Sequence, residues 1–434
     1  MAGEPGRIDR IGKLPIPALA IAVEVGLLLR VAAANLVEWW VRRGGGERVC
    51  LFPDAEYYWE LARTIRDGEV FQIVEWGDIP HFALRTPGYP LFLASCRTLL
   101  GDRPLGARLV QAGLGAVCVW LVFRLTRVVL GGSEKTGTGR AAPIAAAFTS
   151  IHPYFVIMSV VLLSEAVFAP LLLGFLWALA VLWDRDGARA MLGPALGAGA
   201  AAGAAVLTRP SCLLFFPAAI AAWLAHRAVS GRSIRPAIVA TMVAAAGFAG
   251  VMAPWWVRNA RVYGEFVPTA LWMGASLYDG LNPQATGASD MRFLNDPDVW
   301  PNSERDQDEL LKRRAFAFVR EQPGRALELA LAKLGRYWSP WPNAEGVRSP
   351  WLTVAAGLVM GPVLGLAGLG LWTLRRDGRA WVILAGPILY FGLIHAVFAS
   401  SMRYRTPGEI PAMGLAAVGL LRVVDGASWR SKQA

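Results

Sequence analysis

Long apolar runs separated by short polar segments dominate the chain. A helix needs about 20 mainly apolar residues to cross a bilayer, and ten runs approach that length. We predict membrane spans at 14–37, 107–130, 141–158, 162–183, 190–207, 211–226, 236–257, 351–374, 380–399 and 407–423. The stretch 190–226 is interrupted by Thr208-Arg209-Pro210, so it could instead form two short helices that meet below the surface. The pattern predicts an all-α polytopic membrane protein.

The distribution of Lys and Arg predicts the orientation of these spans. Short loops on one side carry most of the basic residues, including Arg185 and Arg379, whereas the opposite short loops carry only Arg209, Arg403 and Arg405. Cytoplasmic loops are enriched in Lys and Arg, so we expect a cytoplasmic N-terminus. This bias also explains the net charge of +11 without a nucleic-acid partner. With 55% hydrophobic and 17% charged residues, a set of soluble domains is excluded.

Two long polar segments, 38–106 and 258–350, then lie on the outer face. We divide the chain into a transmembrane module at 1–257, an outer loop at 258–350, and C-terminal helices with a short cytoplasmic tail at 351–434. The first span is too long for the apolar core of a signal peptide, and we expect it to be uncleaved.

Both outer segments contain the pattern of amphipathic helices that lie on the membrane. Tyr57, Leu61 and Ile65 recur at helical spacing within 54–67, and 304–337 has a similar pattern with a break at Pro323-Gly324. Neither outer segment has the pattern of a free-standing soluble domain.

Candidate chemistry lies in polar clusters at the outer boundary, where charge near hydrocarbon is costly. In the first cluster, Asp54 and Glu56 begin the surface helix. Asp54 could simply cap that helix, with Glu56 favoured by the helix dipole. Alternatively, Asp54 is a carboxylate at the lip of a cavity that accepts a proton from an acceptor hydroxyl.

Arginines and a second carboxylate mark the other clusters. Arg85 precedes a Thr-Pro-Gly-Tyr-Pro turn and is either a snorkelling side chain or a phosphate contact. Glu165 follows Ser164 at the start of a span, as part of a cap or as a second carboxylate facing Asp54 across the cavity. Arg403 and Arg405 share a very short outer loop, where binding an anionic lipid head group would explain them.

The remaining cluster, Arg258-Asn259, follows a Pro-Trp-Trp-Val sequence and could serve only to anchor the helix at the interface. Trp76, Trp272 and Trp300 are candidates for stacking on a ring of a ligand. The four cysteines lack metal or disulfide spacing and are interpreted as buried thiols. The sequence contains no dinucleotide-binding glycine motif, no P-loop and no zinc-protease motif.

Taken together, the segments EYYWELA, RTPGYPLFLA, LTRP, APWWVRN and RYRTP resemble those of the GT-C membrane glycosyltransferases. The resemblance covers roughly residues 14–420 and is greatest to the bacterial glycosyltransferase family 39-like branch, which is related to protein mannosyltransferases and the lipid A aminoarabinose transferase. It implies a GT-C-type bundle of about ten transmembrane helices with amphipathic helices on the outer face.

The resemblance also implies an activity and roles for individual residues. Members transfer a sugar, with inversion, from a polyprenyl-phosphate donor to a lipid, glycan or protein acceptor on the outer face of the plasma (inner) membrane. The family leaves a divalent metal ion open as a cofactor. The expected roles are catalytic for Asp54, Glu165 and Glu56, donor-phosphate binding for Arg85, Arg403, Arg405 and Arg258, and substrate binding for Tyr57, Tyr58, Tyr89, Tyr404 and Asn259.

Three other functions remain open at this point. A lipid-linked sugar flippase or transporter would place charges deep within its spans, and Glu24 and Arg30 in the first span fit that pattern. An O-antigen ligase or polymerase would use a diphosphate-linked donor. A non-catalytic scaffold would only bind isoprenoid lipids.

Overall fold

A computed structural model describes residues 16–43, 50, 52–74, 79–131, 138–343 and 350–426. Trp76 lies outside the described residues. The helices are α1 (Ile16–Arg43), α2 (Pro53–Arg66), α3 (Gly88–Leu100), α4 (Pro104–Leu130), α5 (Ala141–Ile151), α6 (Pro153–Met158), α7 (Glu165–Trp183), α8 (Ala188–Thr208), α9 (Phe215–Val229), α10 (Arg235–Tyr263), α11 (Met273–Gly280), α12 (Glu304–Glu321), α13 (Pro323–Trp338), α14 (Pro350–Thr373), α15 (Gly378–Ala380), α16 (Gly386–Val397) and α17 (Met402–Asp425). Strands β1 (Ile73–Val74) and β2 (Pro80–His81) form a small antiparallel pair in the first outer loop.

Nine helices within the described ranges are long and apolar enough to cross a membrane. The all-α polytopic architecture predicted from the hydrophobic pattern is therefore confirmed. The break expected in 190–226 does not produce two short helices. Instead α8 has 21 residues, and a 3₁₀ turn at Pro210–Cys212 continues into α9 to give a second span of 20 residues.

The third predicted span, 141–158, is divided into the short helices α5 and α6. The break falls at His152, whose extended backbone (φ −60°, ψ 113°) precedes Pro153. Proline disfavours helical conformation in the residue before it and has no N–H to donate. Together α5 and α6 still lead the chain from the end of α4 to the start of α7.

Arg30, in the middle of α1, satisfies the backbone at this break. Its guanidinium donates hydrogen bonds to the carbonyl oxygens of Thr149 (3.1 Å) and Ser150 (3.1 Å), at the end of α5. Gly115 of α4 makes room, because a Cβ atom there would lie 2.4 Å from Arg30 Nε. The buried charge that favoured a transporter is thus a helix cap, and Glu24 lies on the exposed side of α1.

The outer-loop helices agree with the amphipathic patterns. The helix predicted at 54–67 is α2, and 304–337 forms α12 and α13, which are separated at Gln322 before Pro323. Helix α17 is the most enclosed of the nine long helices, and it packs against α5, α14 and α16. Its first turn, which includes Arg403, lies next to Asp54 in the first turn of α2.

Candidate active site

A cavity of about 710 Å³ lies where the outer-loop segments meet the outer ends of the membrane helices. One wall is the segment 265–273, which follows α10 and is called the strap here. The floor is formed by the starts of α9 and α17 and the end of α16. Asp54 and Arg85 contribute from the first outer loop, so the cavity is built from both halves of the chain.

Five charged side chains form an alternating series beside this cavity, called the charge chain here. Arg85 Nη2 lies 3.8 Å from Asp54 Oδ1, and Arg403 Nη1 lies 3.2 Å from Asp54 Oδ2. Arg403 also donates through Nε to Glu165 Oε1 at 2.5 Å. Arg209 Nη1 lies 2.9 Å from the same Glu165 oxygen. Each carboxylate is therefore shared by two guanidinium groups.

The members of the charge chain come from places where helices begin or end. Asp54 lies in the first turn of α2, and Glu165 is the first residue of α7. Arg209 has an extended backbone between α8 and the turn that starts with Pro210. Arg403 lies in the first turn of α17, where Ser401 caps the helix by accepting a hydrogen bond from its N–H. Helix ends at one membrane face thus bring distant residues together.

Asp54 is the carboxylate of the charge chain that is open to the cavity, with 44% of its side chain exposed. Partial burial acts to raise the pKa of Asp54, but the positive charges of Arg403 and Arg85 outweigh it and hold the pKa below its usual value. The group is therefore ionised at neutral pH. The helix-cap alternative does not apply, since Phe52 occupies the cap position and makes no side-chain cap bond.

Glu165 occupies a different place from the one expected. Its side chain is only 2% exposed, and it is not among the cavity-lining residues. Rather than facing Asp54 across the cavity, it lies behind Arg403 and Arg209 and binds both. Its geometry is that of a group that orients two arginines.

Arg403 and Arg405 point to different environments although the sequence places them together. Arg405 is fully buried, pairs with Glu409 at 2.8 Å and donates to the carbonyl oxygens of Tyr337 and Ser339. Residues two apart on a helix do not share a face. The expectation that Arg405 contacts a donor phosphate is therefore contradicted by its position.

Three more of the expected site residues lie away from the cavity. Glu56 accepts a hydrogen bond from the backbone N–H of Cys50 at 2.7 Å. Tyr57 packs beside Leu61. Tyr89 is buried, and its hydroxyl accepts a hydrogen bond from Gln111. Direct roles for Glu56, Tyr57 and Tyr89 in chemistry or binding do not fit these positions.

Arg258 and Asn259 hold the outer loops in place. The Asn259 side chain donates to the carbonyl oxygen of Val267 in the strap, and Trp255 Nε1 donates to Thr269. Arg258 donates to the carbonyl oxygens of Phe82 and Phe71 in the first outer loop. The side-chain N–H groups of Trp255, Arg258 and Asn259 thus donate to backbone carbonyls. Neither Arg258 nor Asn259 lines the cavity.

Aromatic rings support the arginines that do face the cavity. The Arg85 guanidinium lies over the rings of Tyr58 (5.8 Å) and Trp272 (5.3 Å). Arg209 lies 5.2 Å from the ring centre of Tyr404, which also stacks on His395 at 4.4 Å. Such contacts restrict the guanidinium planes.

Sequence reasoning left two of these residues out of the candidate set. Arg209 carries a detectable signal, because it is a cation before proline at the membrane face that is otherwise poor in basic residues. His395 lies inside an apolar run and carries none. Trp272 lines the cavity, whereas Trp300 does not.

Metal binding has no matching site among the residues that the structure describes. No group of three or more His, Cys, Asp or Glu is placed to hold a metal ion there. Asp54 and Glu165, the two carboxylates of the charge chain, are already engaged by cations. We therefore derive no step through a metal. The four cysteines are buried free thiols, as interpreted from the sequence.

Comparison with known proteins places this geometry in a known fold. Residues 84–257 match the family model described as dolichyl-phosphate-mannose-protein mannosyltransferase. No curated protein matches the sequence. The archaeal oligosaccharyltransferase AglB from Archaeoglobus fulgidus, in complex with an inhibitory peptide and a dolichol-phosphate, has a TM-score of 0.60 at 15% identity, covering 96% of this chain and 51% of AglB.

The apo form of the same oligosaccharyltransferase gives a TM-score of 0.60 at 16% identity, covering 98% of this chain and 52% of the other. The chain thus spans about half the length of these proteins. ArnT from Cupriavidus metallidurans bound to undecaprenyl phosphate is similar at 15% identity over 96% of this chain and 80% of ArnT, but its TM-score of 0.47 is too low to support a conclusion. The chain is a multi-span membrane protein with the GT-C fold, and its residues 84–257 match the mannosyltransferase family model.

Proposed function

We propose that the protein is a glycosyltransferase that moves a hexose or pentose from a polyprenyl-phosphate donor to an acceptor at the outer membrane face, with inversion. The observation that carries the proposal is the charge chain. It places an ionised, accessible carboxylate next to arginines at the boundary between the cavity and the membrane helices. The distribution of basic residues supports a plasma-membrane location with the site on the extracytoplasmic side.

The charge chain, taken without the other charged residues that line the cavity, favours a monophosphate donor. Three guanidinium groups against two carboxylates leave one positive charge in excess. A phosphodiester carries one negative charge and would neutralise it, whereas a diphosphate-linked donor would bring one charge too many. The diphosphate-dependent ligase alternative therefore fits less well. The dolichol-phosphate in the similar AglB structure supports a donor of the monophosphate class.

Apolar residues beside the arginines suit the isoprenoid part of such a donor. Leu213 and Leu214 at the start of α9 and Ile394 and Phe398 at the end of α16 line the cavity. Leu214 is 63% exposed, so this wall opens towards the surroundings of the bundle. A polyprenyl chain lying there would keep its phosphate within the reach of Arg209 and Arg403.

Asp54 then acts as general base in a single displacement. It accepts the proton of the acceptor hydroxyl while that oxygen forms a bond to the anomeric carbon. The bond between the anomeric carbon and the phosphate oxygen breaks, and polyprenyl phosphate leaves with one more negative charge. Arg85, Arg209 and Arg403 stabilise that developing charge. Attack opposite the leaving phosphate inverts the anomeric centre.

The other residues receive supporting roles in this proposal. Glu165 positions Arg403 and Arg209 from behind, since it is buried and bound to both. Of the tyrosines expected to bind substrate, Tyr58 and Tyr404 line the cavity. Arg258 and Asn259 fix the cavity wall.

The test is transfer from radiolabelled undecaprenyl-phosphate sugar by purified protein, comparing the wild type with Asp54→Asn. We expect transfer to fall about 100-fold or more, because the base is removed. Affinity for undecaprenyl phosphate should be kept or increased, because the site gains net positive charge. Glu60→Gln on the exposed side of α2 is the matched control and should behave as wild type. Full transfer by Asp54→Asn would remove Asp54 from the chemistry.

A further inference from the structure

The buried side of α13 holds two helix ends together next to the cavity. Lys333 Nζ donates to the carbonyl oxygens of Gly280 at 3.0 Å and Val397 at 2.5 Å. These are the last residues of α11 and α16. The final carbonyls of a helix lack partners within it, and a cation at this end is favourable. The Lys333 side chain is fully buried, so its ammonium group is committed to this contact.

The two helix ends approach too closely for any side chain to separate them. A Cβ atom on Gly280 would lie 2.5 Å from the carbonyl oxygen of Val397. Glycine is therefore required at this position by the close backbone approach. The Lys333 ammonium group thus binds the last carbonyl oxygen of α11 and the last carbonyl oxygen of α16 at the same time.

The segment that leaves α16, residues 398–402, is called the Arg403 turn here because Arg403 follows it directly. One helical turn beyond Lys333, Arg336 Nε donates to the carbonyl oxygen of Ser400 at 3.0 Å. The Ser400 N–H donates to Gly287 at 3.0 Å, and Asn343 accepts from the Met402 N–H at 3.1 Å. The turn is thus held by side chains and backbone of the second outer loop.

We infer that Lys333 and Arg336 are positioning residues for Arg403. By fixing the beginning and the middle of the Arg403 turn, they set where α17 begins and hence where the Arg403 guanidinium meets Asp54 and Glu165. Neither residue touches the cavity. The inference rests on the proposed role of Arg403 in binding the donor phosphate, and it assigns to α13 a part in that binding.

Two readouts on the full-length protein test this inference. The first is hydrogen–deuterium exchange of the amides in the Arg403 turn, which needs no ligand. The second is the affinity for undecaprenyl phosphate. We expect Lys333→Met and Arg336→Gln to speed exchange in 398–402 by about tenfold and to weaken undecaprenyl phosphate binding by about five- to tenfold. Arg336→Lys, which keeps a donor for Ser400, should recover part of both.

Glu328→Gln is the matched control, because Glu328 lies on the exposed side of the same helix. It should leave both readouts at the wild-type level. If Lys333→Met does not fold, the two readouts of Arg336→Gln test the inference. Unchanged exchange in the variants overturns the inference, as does faster exchange with unchanged affinity. Failure of the wild type to bind undecaprenyl phosphate would instead count against the proposed function, and the exchange data would still test the positioning.

Discussion

The two ends of the helix bundle, called outer and inner after the predicted orientation, both carry arginine–carboxylate pairs, but the pairs are arranged differently. At the inner end, Arg227 pairs with Asp186 at 2.9 Å and Arg379 with Asp184 at 2.6 Å. Asp184 also lies 3.9 Å from Arg232, and Arg227 and Arg379 also donate to the backbone carbonyls of Arg185 and Ala180. The inner pairs therefore fasten loops to helix ends.

At the outer end the pairs are linked to one another. Arg403 bridges Asp54 and Glu165, and each of these carboxylates has a second arginine. Removing one member leaves other buried charges uncompensated, which is costly. Exposed pairs are worth little individually. Positive charge at a membrane face therefore points to a site only where the charges are shared and border a cavity.

The largest expected difference between the two ends follows from removing one arginine from each. Arg403→Ala should lower sugar transfer by about 100-fold or more and weaken undecaprenyl phosphate binding, because the leaving phosphate loses a charged donor. Arg379→Ala at the inner end should keep transfer close to wild type. Both are measured with radiolabelled undecaprenyl-phosphate sugar. Equal losses in the two variants would show that the outer arrangement has no special role.

A smaller effect is expected from the buried carboxylate of the outer end. Glu165→Gln should reduce transfer by about tenfold, because Arg403 and Arg209 lose the charge that orients them while Asp54 remains. Donor affinity should change less than the transfer rate. Asp184→Asn is the inner counterpart and should retain wild-type kinetics. A loss for Glu165→Gln as complete as that for Asp54→Asn would assign Glu165 a direct chemical role.

The smallest effect concerns Asp279, an outer carboxylate that lines the cavity and accepts a hydrogen bond from the backbone N–H of Asp290. Burial raises the pKa of Asp279 to about 6. Between the usual aspartate pKa and 6, the folded protein holds a proton that the unfolded chain releases. The contribution of Asp279 to the free energy of unfolding therefore falls as pH rises through this window.

Asp279→Asn removes that penalty. It should raise the thermal unfolding temperature by a few degrees at pH 7.5, where the wild-type carboxylate is charged, and by much less at pH 4.5. The comparison is made by thermal unfolding in detergent at both pH values. A shift of equal size at both pH values would mean that the charge of Asp279 is not its cause.

Much of the fold could be predicted from the sequence because membrane spans follow from length and apolarity alone. The basic residues also separated the two faces, which placed Asp54, Arg85, Glu165 and Arg403 at one end. The broken span at His152 was missed, since the apolar pattern continues through Pro153 and the Arg30 cap comes from another helix. The long apolar run predicted one continuous helix, although Pro153 disfavours helical backbone at His152.

The sequence could not predict the direction in which each of these side chains points. Arg403 and Arg405 are the same residue type in the same short segment. Because they lie two positions apart on a helix, Arg403 faces the cavity and Arg405 faces Glu409. Arg258 and Asn259 were expected at the cavity, yet they donate to backbone carbonyls whose positions depend on the whole outer loop. Glu165 was placed at the right face but on the wrong side of the arginines.

The bridge made by Arg403 has a consequence for biosynthesis. Asp54 precedes it by 349 residues, so most of the polypeptide must be made before the two can meet. While α17 is still inside the ribosome, Asp54 has Arg85 and Glu165 has Arg209, but nothing joins these halves. A nascent chain inserted only up to α16 therefore lacks the complete charge chain, which is assembled with the insertion of α17.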